Sequence, residues 1–170
     1  MRKAFLVAVA AAAAVACSGQ PDLPPGVVAV SGRAPAVSGP LIEGGSFGPR
    51  DYGDRTLVVN FFNPFCAPCA KEQPVLQRDW TALRHSGVAF VGIHYVGGNW
   101  PTSVSAVRSY LRRMGVTYPV VEDPDSRLAR AFAIQGIPSS VVVDRRGKLR
   151  FRILGRVRPG ELTRLLERLS

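Results

Sequence analysis

Cysteine and histidine are scarce in this chain of 170 residues, which contains three cysteines and two histidines. So few cysteines cannot form the disulfide framework of a small stapled fold. A structural zinc ion takes four ligands, and His85 and His94 are the only histidines that could join a cysteine pair. We therefore predict a chain without a disulfide framework, without a metal and without a cofactor.

Acidic residues are also in the minority, since 12 Asp and Glu stand against 22 Lys and Arg and leave a net charge of +10. Such a basic excess can attract nucleic acids, but no nucleic-acid-binding motif accompanies it. We interpret the charge as a solvated basic face with a weak attraction to anionic lipid, and we predict no nucleic-acid partner. Apolar residues make up 46% of the chain, which is enough for one hydrophobic core and excludes a disordered chain.

The sequence has no apolar run of membrane-spanning length near its start. Met1-Arg2-Lys3 is followed by an apolar stretch over residues 4–16, which is shorter than the roughly 20 residues that a membrane-spanning helix needs. A charged start followed by a short apolar stretch is typical of a secretory signal peptide. We predict a signal peptide over residues 1–16 and a protein that works outside the cytoplasm.

Cys17 stands directly after this stretch and has no evident disulfide partner. Ala14-Val15-Ala16 suits ordinary cleavage before Cys17. The same residues resemble a bacterial lipobox, in which the cysteine becomes lipidated, although Ala14 stands where leucine is usual. We predict lipidation of Cys17, because a lone exposed thiol would be oxidised in that compartment. A flexible tether is predicted over residues 17–31, followed by one domain over residues 32–170.

The most informative stretch runs from residue 57 to residue 74. Residues 57–62 are apolar and rich in Val and Phe, which predicts a buried strand, and Asn63-Pro64 ends it. Cys66-Ala67-Pro68-Cys69 then opens a predicted helix, and a C-x-x-C between a strand and a helix is typical of a redox motif. The N-terminus of a helix favours the thiolate form of a cysteine. We predict that Cys66 is the nucleophile and that Cys69 closes the disulfide.

The rest of the chain predicts an α/β fold in which one domain alternates strands and helices in the order β–α–β–α–β–α–β–β–α. Short apolar pieces within residues 26–50 predict a hairpin or an added edge strand before this core. Asp125 or Ser126 is expected to cap one of the later helices. The predicted strands after the first lie at residues 88–95, 118–121, 139–143 and 148–154, and the later helices at 103–114, 125–132 and 159–169.

Five pieces of the sequence resemble the thioredoxin superfamily, and within it the extracytoplasmic, membrane-tethered branch of TlpA, ResA and DsbE-like proteins. The resemblance covers roughly residues 32–169, and Phe65 departs from it because tryptophan is usual before the first cysteine. The pieces are Asn60-Phe61-Phe62, the Cys66–Cys69 motif, Glu72 with Pro74, Gly136-Ile137-Pro138, and Val141-Val142-Val143-Asp144 leading to Gly147-Lys148.

The resemblance implies a thioredoxin fold, a central mixed sheet flanked by helices, with an N-terminal β-extension and a helix–strand insertion. It implies that Glu72 lies near the cysteines and tunes a thiol pKa or relays a proton, while Asn60 takes the place of a buried acid found in cytosolic thioredoxins. It also implies that Pro138 follows a cis peptide bond beside the disulfide. The substrate-binding residues that it suggests are Phe65, Ala67, Pro68, Ile137 and Pro138.

The function expected from this resemblance is thiol–disulfide exchange on proteins, with reduction favoured over oxidation. The expected partners are disulfide-bearing or dithiol proteins, among them apocytochrome c, and a membrane protein that supplies or accepts electrons. We expect a monomer held to the membrane by its lipid anchor.

Two other functions stay open from the residues alone. Copper metallochaperones of this fold usually have C-x-x-x-C and a downstream histidine, whereas this chain has C-x-x-C and only His94 as a candidate. Thiol peroxidases need Thr-x-x-Cys, and here Asn63 takes the place of the threonine.

Overall fold

The computed structural model describes residues 22–97 and 103–169. The predicted signal peptide, Cys17 and the first part of the predicted tether lie outside the described residues. None of the helices in the described part is long and apolar enough to cross a membrane.

Eight strands and five helices make up the described fold. In chain order they are β1 (Val27–Ala29), β2 (Gly39–Pro40), β3 (Ser46–Phe47), α1 (Pro49–Tyr52), β4 (Thr56–Phe62), α2 (Ala67–Leu83), β5 (Val88–Tyr95), α3 (Val104–Met114), β6 (Val120–Asp123), α4 (Arg127–Ala131), β7 (Ser139–Val143), β8 (Leu149–Leu154) and α5 (Glu161–Glu167).

Six of the strands form one mixed sheet in the order β1-β8-β7-β4-β5-β6, and β2 pairs with β3 in a separate hairpin. The neighbours β4, β5 and β6 run parallel, whereas β7, β8 and β1 join antiparallel. This is the predicted thioredoxin-type sheet with an N-terminal β-extension, so the fold prediction is confirmed.

The central strand β4 positions the site because all seven of its residues are buried. Its side chains alternate between the two faces of the sheet, as the pleat of a strand requires. Val58 and Phe62 join the core formed with α2, α3 and α5. Val59 and Phe61 join the second core, formed with α4. The strand therefore ends deep inside the fold, directly before the cysteine motif.

The first strand corrects the predicted tether. Strand β1 lies within residues 17–31, yet Val27 pairs with Ile153 and Ala29 with Phe151 on β8. Val27 is buried, and Leu23 packs against the same core. The tether prediction is therefore wrong for residues 27–29, which instead form the added edge strand that the apolar pieces of residues 26–50 predicted.

The start of α4 corrects the predicted cap. Ser126 precedes the helix with a φ of 52°, and its side chain makes no capping hydrogen bond. Instead Asp123, the last residue of β6, accepts hydrogen bonds from the backbone N–H groups of Leu128 and Ala129, both at 3.0 Å. A carboxylate on the preceding strand thus replaces the expected cap at Asp125 or Ser126.

Candidate active site

The turn between β4 and α2 places the cysteines at the N-terminus of a 17-residue helix. Asn63 fixes this turn, since its Oδ1 accepts from the Phe65 N–H and its Nδ2 donates to the Tyr95 carbonyl, both at 2.9 Å. Cys66 is the N-cap residue. Pro68 stands in the first turn, where the missing N–H of proline leaves no helical hydrogen bond unmade.

Cys66 and Cys69 form a disulfide with their Cα atoms 5.1 Å apart. Cys66 is 2% exposed and Cys69 is fully buried. The Cys69 N–H donates to the Cys66 sulfur at 3.1 Å. A backbone donor of the first helical turn therefore points at the sulfur of the N-cap residue. Such a donor, together with the positive end of the helix dipole, stabilises negative charge on that sulfur.

The residues suggested for substrate binding range from exposed to buried. Phe65 is 67% exposed, and Ala67 and Pro68 are also exposed. Ile137 is half-buried and packs against the core that contains the cysteines. Pro138 is buried, and the Ile137–Pro138 peptide bond is cis, as the resemblance implies. The structure therefore brings these residues to the end of the sheet at which β4 stops.

Glu72 lies on α2, one turn beyond Cys69, and is 1% exposed. Its Oε1 accepts from Asn60 Nδ2 at 2.8 Å, and its Oε2 accepts from the Val157 N–H at 2.8 Å. Asn60 Nδ2 also donates to the Ser140 hydroxyl at 3.0 Å. Both carboxyl oxygens therefore have a donor, and a chain of buried polar groups joins α2, β4 and β7.

The pKa of Glu72 is raised from 4.5 to about 7, and burial is the main cause. The hydrogen bonds from Val157 and Asn60 and the charge of Arg156 oppose the rise, and Glu161 adds to it. A carboxyl with this pKa exists in both protonation states near neutral pH. It can therefore accept or release a proton at the pH at which thiol exchange takes place.

Two members of the polar chain around Glu72 escaped the sequence reasoning: Ser140, the second acceptor of Asn60, and Val157, a direct donor to Glu72. Ser140 is the second of two adjacent serines at the start of an otherwise apolar strand, and this buried polar position was the available signal. Val157 contributes a backbone N–H from the loop after β8, 85 residues from Glu72. No side-chain pattern marks such a donor.

His94, the ligand candidate of a copper protein, is 1% exposed on β5. Burial lowers its pKa to about 4, against the opposing effect of Asp123. Within residues 22–97 and 103–169, no three side chains of His, Cys, Asp or Glu are arranged to hold a metal ion. Asn63, which stands at the threonine position of a peroxidase site, uses its side chain to fix the turn before the helix.

Relatives with assigned activities share most of the chain. The thiol:disulfide interchange protein HelX of Rhodobacter capsulatus is 30% identical over 143 residues, which cover 82% of this chain and 76% of HelX. The thiol-disulfide oxidoreductase ResA of Geobacillus thermodenitrificans is 25% identical over 140 residues, covering 82% of this chain and 78% of ResA.

A solved structure agrees with these likenesses. A thiol:disulfide interchange protein of the thioredoxin family from Chlorobium tepidum superposes with a TM-score of 0.72 at 29% identity, covering 81% of this chain and 94% of the other. Fold, disulfide and relatives together define a thiol–disulfide oxidoreductase of the thioredoxin type. The model of the AhpC/TSA family matches residues 30–152, and the chain belongs to that family.

Proposed function

We propose that the protein reduces disulfides of other proteins outside the cytoplasm, with Cys66 as the attacking thiolate and Cys69 as the resolving thiol. One observation carries the assignment of Cys66 as the nucleophile: its sulfur caps helix α2 and accepts the Cys69 N–H at 3.1 Å. Of the two sulfurs, only that of the N-cap residue receives this donor. Cys66 is therefore the sulfur on which negative charge is best stabilised.

The exchange consists of two displacements. The Cys66 thiolate attacks one sulfur of the substrate disulfide, a mixed disulfide forms, and the other substrate sulfur leaves as a thiolate. The Cys69 thiol then loses its proton and attacks the Cys66 sulfur. This second step closes the Cys66–Cys69 disulfide and releases the second substrate thiolate. Two electrons pass from the dithiol to the substrate, which becomes a dithiol.

We propose Glu72 as the group that takes up and returns the proton of the buried Cys69 thiol. Glu72 follows Cys69 by three residues on the same face of α2. Its pKa of about 7 suits a group that changes protonation during exchange near neutral pH. The chain from Asn60 to Ser140 keeps the carboxyl in place.

The substrate is proposed to lie over Phe65, Ala67 and Pro68 and to reach Ile137 and Pro138 on the neighbouring loop. Exposed apolar surface next to a reactive sulfur suits a protein partner. The first ladder pair of β7 joins Ser139 to Leu154, so Ile137 precedes the ladder. An extended substrate segment can pair with backbone in such a position by strand addition.

The location and the partners are proposed from the sequence together with the relatives. A signal peptide over residues 1–16, a lipid on Cys17 and a tether before β1 would hold the domain at a membrane as a monomer. A disulfide formed by reducing a substrate must be reduced again, so a membrane protein is proposed as the electron donor. Apocytochrome c is one substrate that fits a reductase of this kind.

The reduction potential of the Cys66–Cys69 pair tests the proposed direction. It is measured by equilibrating the protein with glutathione or dithiothreitol and reading the oxidised fraction by mass. A potential near that of thioredoxin, roughly −270 mV, supports a reductant, whereas one near −120 mV marks an oxidant and overturns the direction.

The roles of the two cysteines need a separate test. Cys69→Ser is expected to accumulate a mixed disulfide with substrate through Cys66, because no resolving thiol remains. Cys66→Ser is expected to form none, and equal trapping by both variants would contradict the assignment.

A further inference from the structure

Basic side chains cluster at the end of the sheet opposite the disulfide. Arg145, Arg146 and Lys148 are exposed on the turn between β7 and β8, and Arg33 is exposed next to them. Together with Arg150 we call these residues the basic turn face. Its members come from two separate stretches of the chain, which the backbone pairing of Arg33 with Lys148 brings together.

The basic turn face is concave. A groove of about 840 Å³ and a second of about 400 Å³ lie side by side, and Arg146 and Arg150 line both. Guanidinium groups beside hydroxyl donors suit phosphate oxygens, which accept several hydrogen bonds at once. The larger groove adds Arg145 and the hydroxyl-bearing residues Thr56, Ser86 and Thr163, and the smaller groove adds Arg33 and Lys148.

The positive charge of this face is only partly balanced by the protein. Among the described residues, Arg150 is the one member in an ion pair, with Asp144 at 3.2 Å. Asp144 also accepts hydrogen bonds from the backbone N–H groups of Arg146 and Lys148, each at 2.9 Å. Its carboxylate therefore stabilises the turn as well as pairing with Arg150. Glu167 is the other acidic residue that lines the larger groove.

The isolated antiparallel bridge between Arg33 and Lys148 places two cations opposite each other, just outside the named strands. Like charges in directly opposite positions destabilise a pair of strands. An external anion at this position would offset that cost. The arrangement is therefore better suited to a bound anionic surface than to a face that only contacts water.

The N-terminal segment joins the fold close to the same face. Arg168, just after α5, donates to the Asp22 carbonyl at 2.9 Å. The neighbouring residues Leu166, Glu167 and Leu169 line the larger groove. Thr56, which also lines it, begins β4, and the disulfide follows the other end of that strand. Seven residues of strand separate the two ends by roughly 20 Å.

We propose that the basic turn face binds the headgroups of anionic phospholipids and thereby turns the disulfide away from the bilayer. The proposal rests on the membrane attachment proposed above, because the segment expected to reach the membrane enters the fold beside this face. Anionic headgroups supply many phosphates in one plane, which matches a face that extends over two adjoining grooves.

Hydrogen–deuterium exchange of the full chain in vesicles tests this proposal. Vesicles of pure phosphatidylcholine are compared with vesicles containing about one-third phosphatidylglycerol. Because the full chain is used, the N-terminal segment is present in both samples, and only the charge of the lipid differs. We expect the amides of residues 145–150 to exchange several-fold more slowly in the anionic vesicles only. This protection should disappear at 1 M salt, where the Debye length falls to about 3 Å.

Two triple variants with the same loss of charge sharpen the test. Arg145→Gln, Arg146→Gln and Lys148→Gln together should abolish the protection, while the turn persists because Asp144 holds it through backbone N–H groups. Arg112→Gln, Arg113→Gln and Arg130→Gln together remove three exposed charges from α3 and α4 and should leave the protection unchanged. Equal loss in both variants would show a net-charge effect and overturn the proposed face.

Flotation of the same samples distinguishes the proposed lipid-binding face from the proposed lipid anchor on Cys17. A chain that floats with both kinds of vesicle but shows no protection of the turn overturns the lipid-binding face and leaves the attachment standing. A chain that floats only with anionic vesicles, with the turn protected, supports the face and overturns the lipid anchor. Equal protection by inorganic phosphate alone, or by an oligonucleotide without vesicles, assigns the face to those ligands and overturns the proposal.

Discussion

The carboxyl of Glu72 is buried without a hydrogen-bonded cation, and its two donors come from different parts of the fold. Asn60 belongs to β4, whereas Val157 lies in the loop before α5. The resemblance of the sequence predicted that Glu72 lies near the cysteines. Its burial and its donor at Val157 could not be predicted, because they depend on a loop that lies 85 residues later in the chain and meets Glu72 only in the folded protein.

Glu72→Gln is expected to change how stability depends on pH. The pKa of Glu72 is about 7 in the fold against 4.5 unperturbed, so the folded state holds the extra proton between these values. Stability from this group is therefore complete below pH 4.5 and is lost as the pH rises through 7. A shift of this size corresponds to about 3 kcal/mol. Urea unfolding of the wild-type protein and the variant from pH 4 to pH 8 measures the difference.

The comparison isolates Glu72, because the other titrating groups are the same in both proteins. The wild-type free energy of unfolding should fall relative to that of the variant as the pH rises from 4.5 to 8. The glutamine also replaces one acceptor oxygen by an amide, which adds a constant offset without a slope. Curves that stay parallel over this range would contradict the raised pKa.

Phe65 offers a second test at the scale of single residues. Phe65→Ala should leave stability within about 0.5 kcal/mol, because the side chain is 67% exposed. Exchange with a protein disulfide should slow several-fold if Phe65 contacts the substrate, whereas exchange with oxidised glutathione should hardly change. Stopped-flow rates with both substrates measure this difference.

Val28→Ala is the matched control, since Val28 is an exposed apolar residue on β1. It should affect neither rate. A Phe65 variant that reacts with both substrates at wild-type rates would contradict a role in substrate binding. A variant slowed equally with both would place the effect on the chemistry of the cysteines.

Among the elements, α4 shows why a local pattern can mislead. The sequence offers Asp125 and Ser126 as caps directly before the helix, but Ser126 takes a positive φ and leaves the N–H groups to Asp123. Asp123 reaches them because β6 ends in line with the first turn of α4. That placement depends on how the strand meets the helix, so the sequence alone could not decide which of the nearby oxygens caps it.

Asp123→Ala is expected to destabilise the protein by about 2 kcal/mol, because two buried N–H groups lose their acceptor. Asp123→Asn should cost less, since it keeps one acceptor oxygen. Urea unfolding at pH 7 measures both values. Asp125→Ala serves as the control and should stay within about 0.5 kcal/mol. The reverse order of effects would restore the cap that the sequence predicted.

For the whole molecule, the order of strands and helices could be predicted because long apolar periods specify β4, β5, α3 and α5 before any tertiary contact forms. Strand β1 could be predicted only loosely, as one of the short apolar pieces of a hairpin or an added edge strand, because three residues are too few to establish a period of two. Its conformation is determined by β8.

A chain that begins at Gly32, the predicted start of the domain, should therefore be less stable than one that begins at Asp22. The shorter chain lacks the pairs of Val27 and Ala29 with β8 and the burial of Val27, which alone contributes roughly 1.5–3 kcal/mol. It also leaves β8 as an open edge that other chains can pair with. Urea unfolding and light scattering compare the two chains, and we expect both lower stability and association in the shorter one. If the two chains unfold at the same urea concentration and remain monomeric, β1 contributes nothing and the domain begins at residue 32 after all.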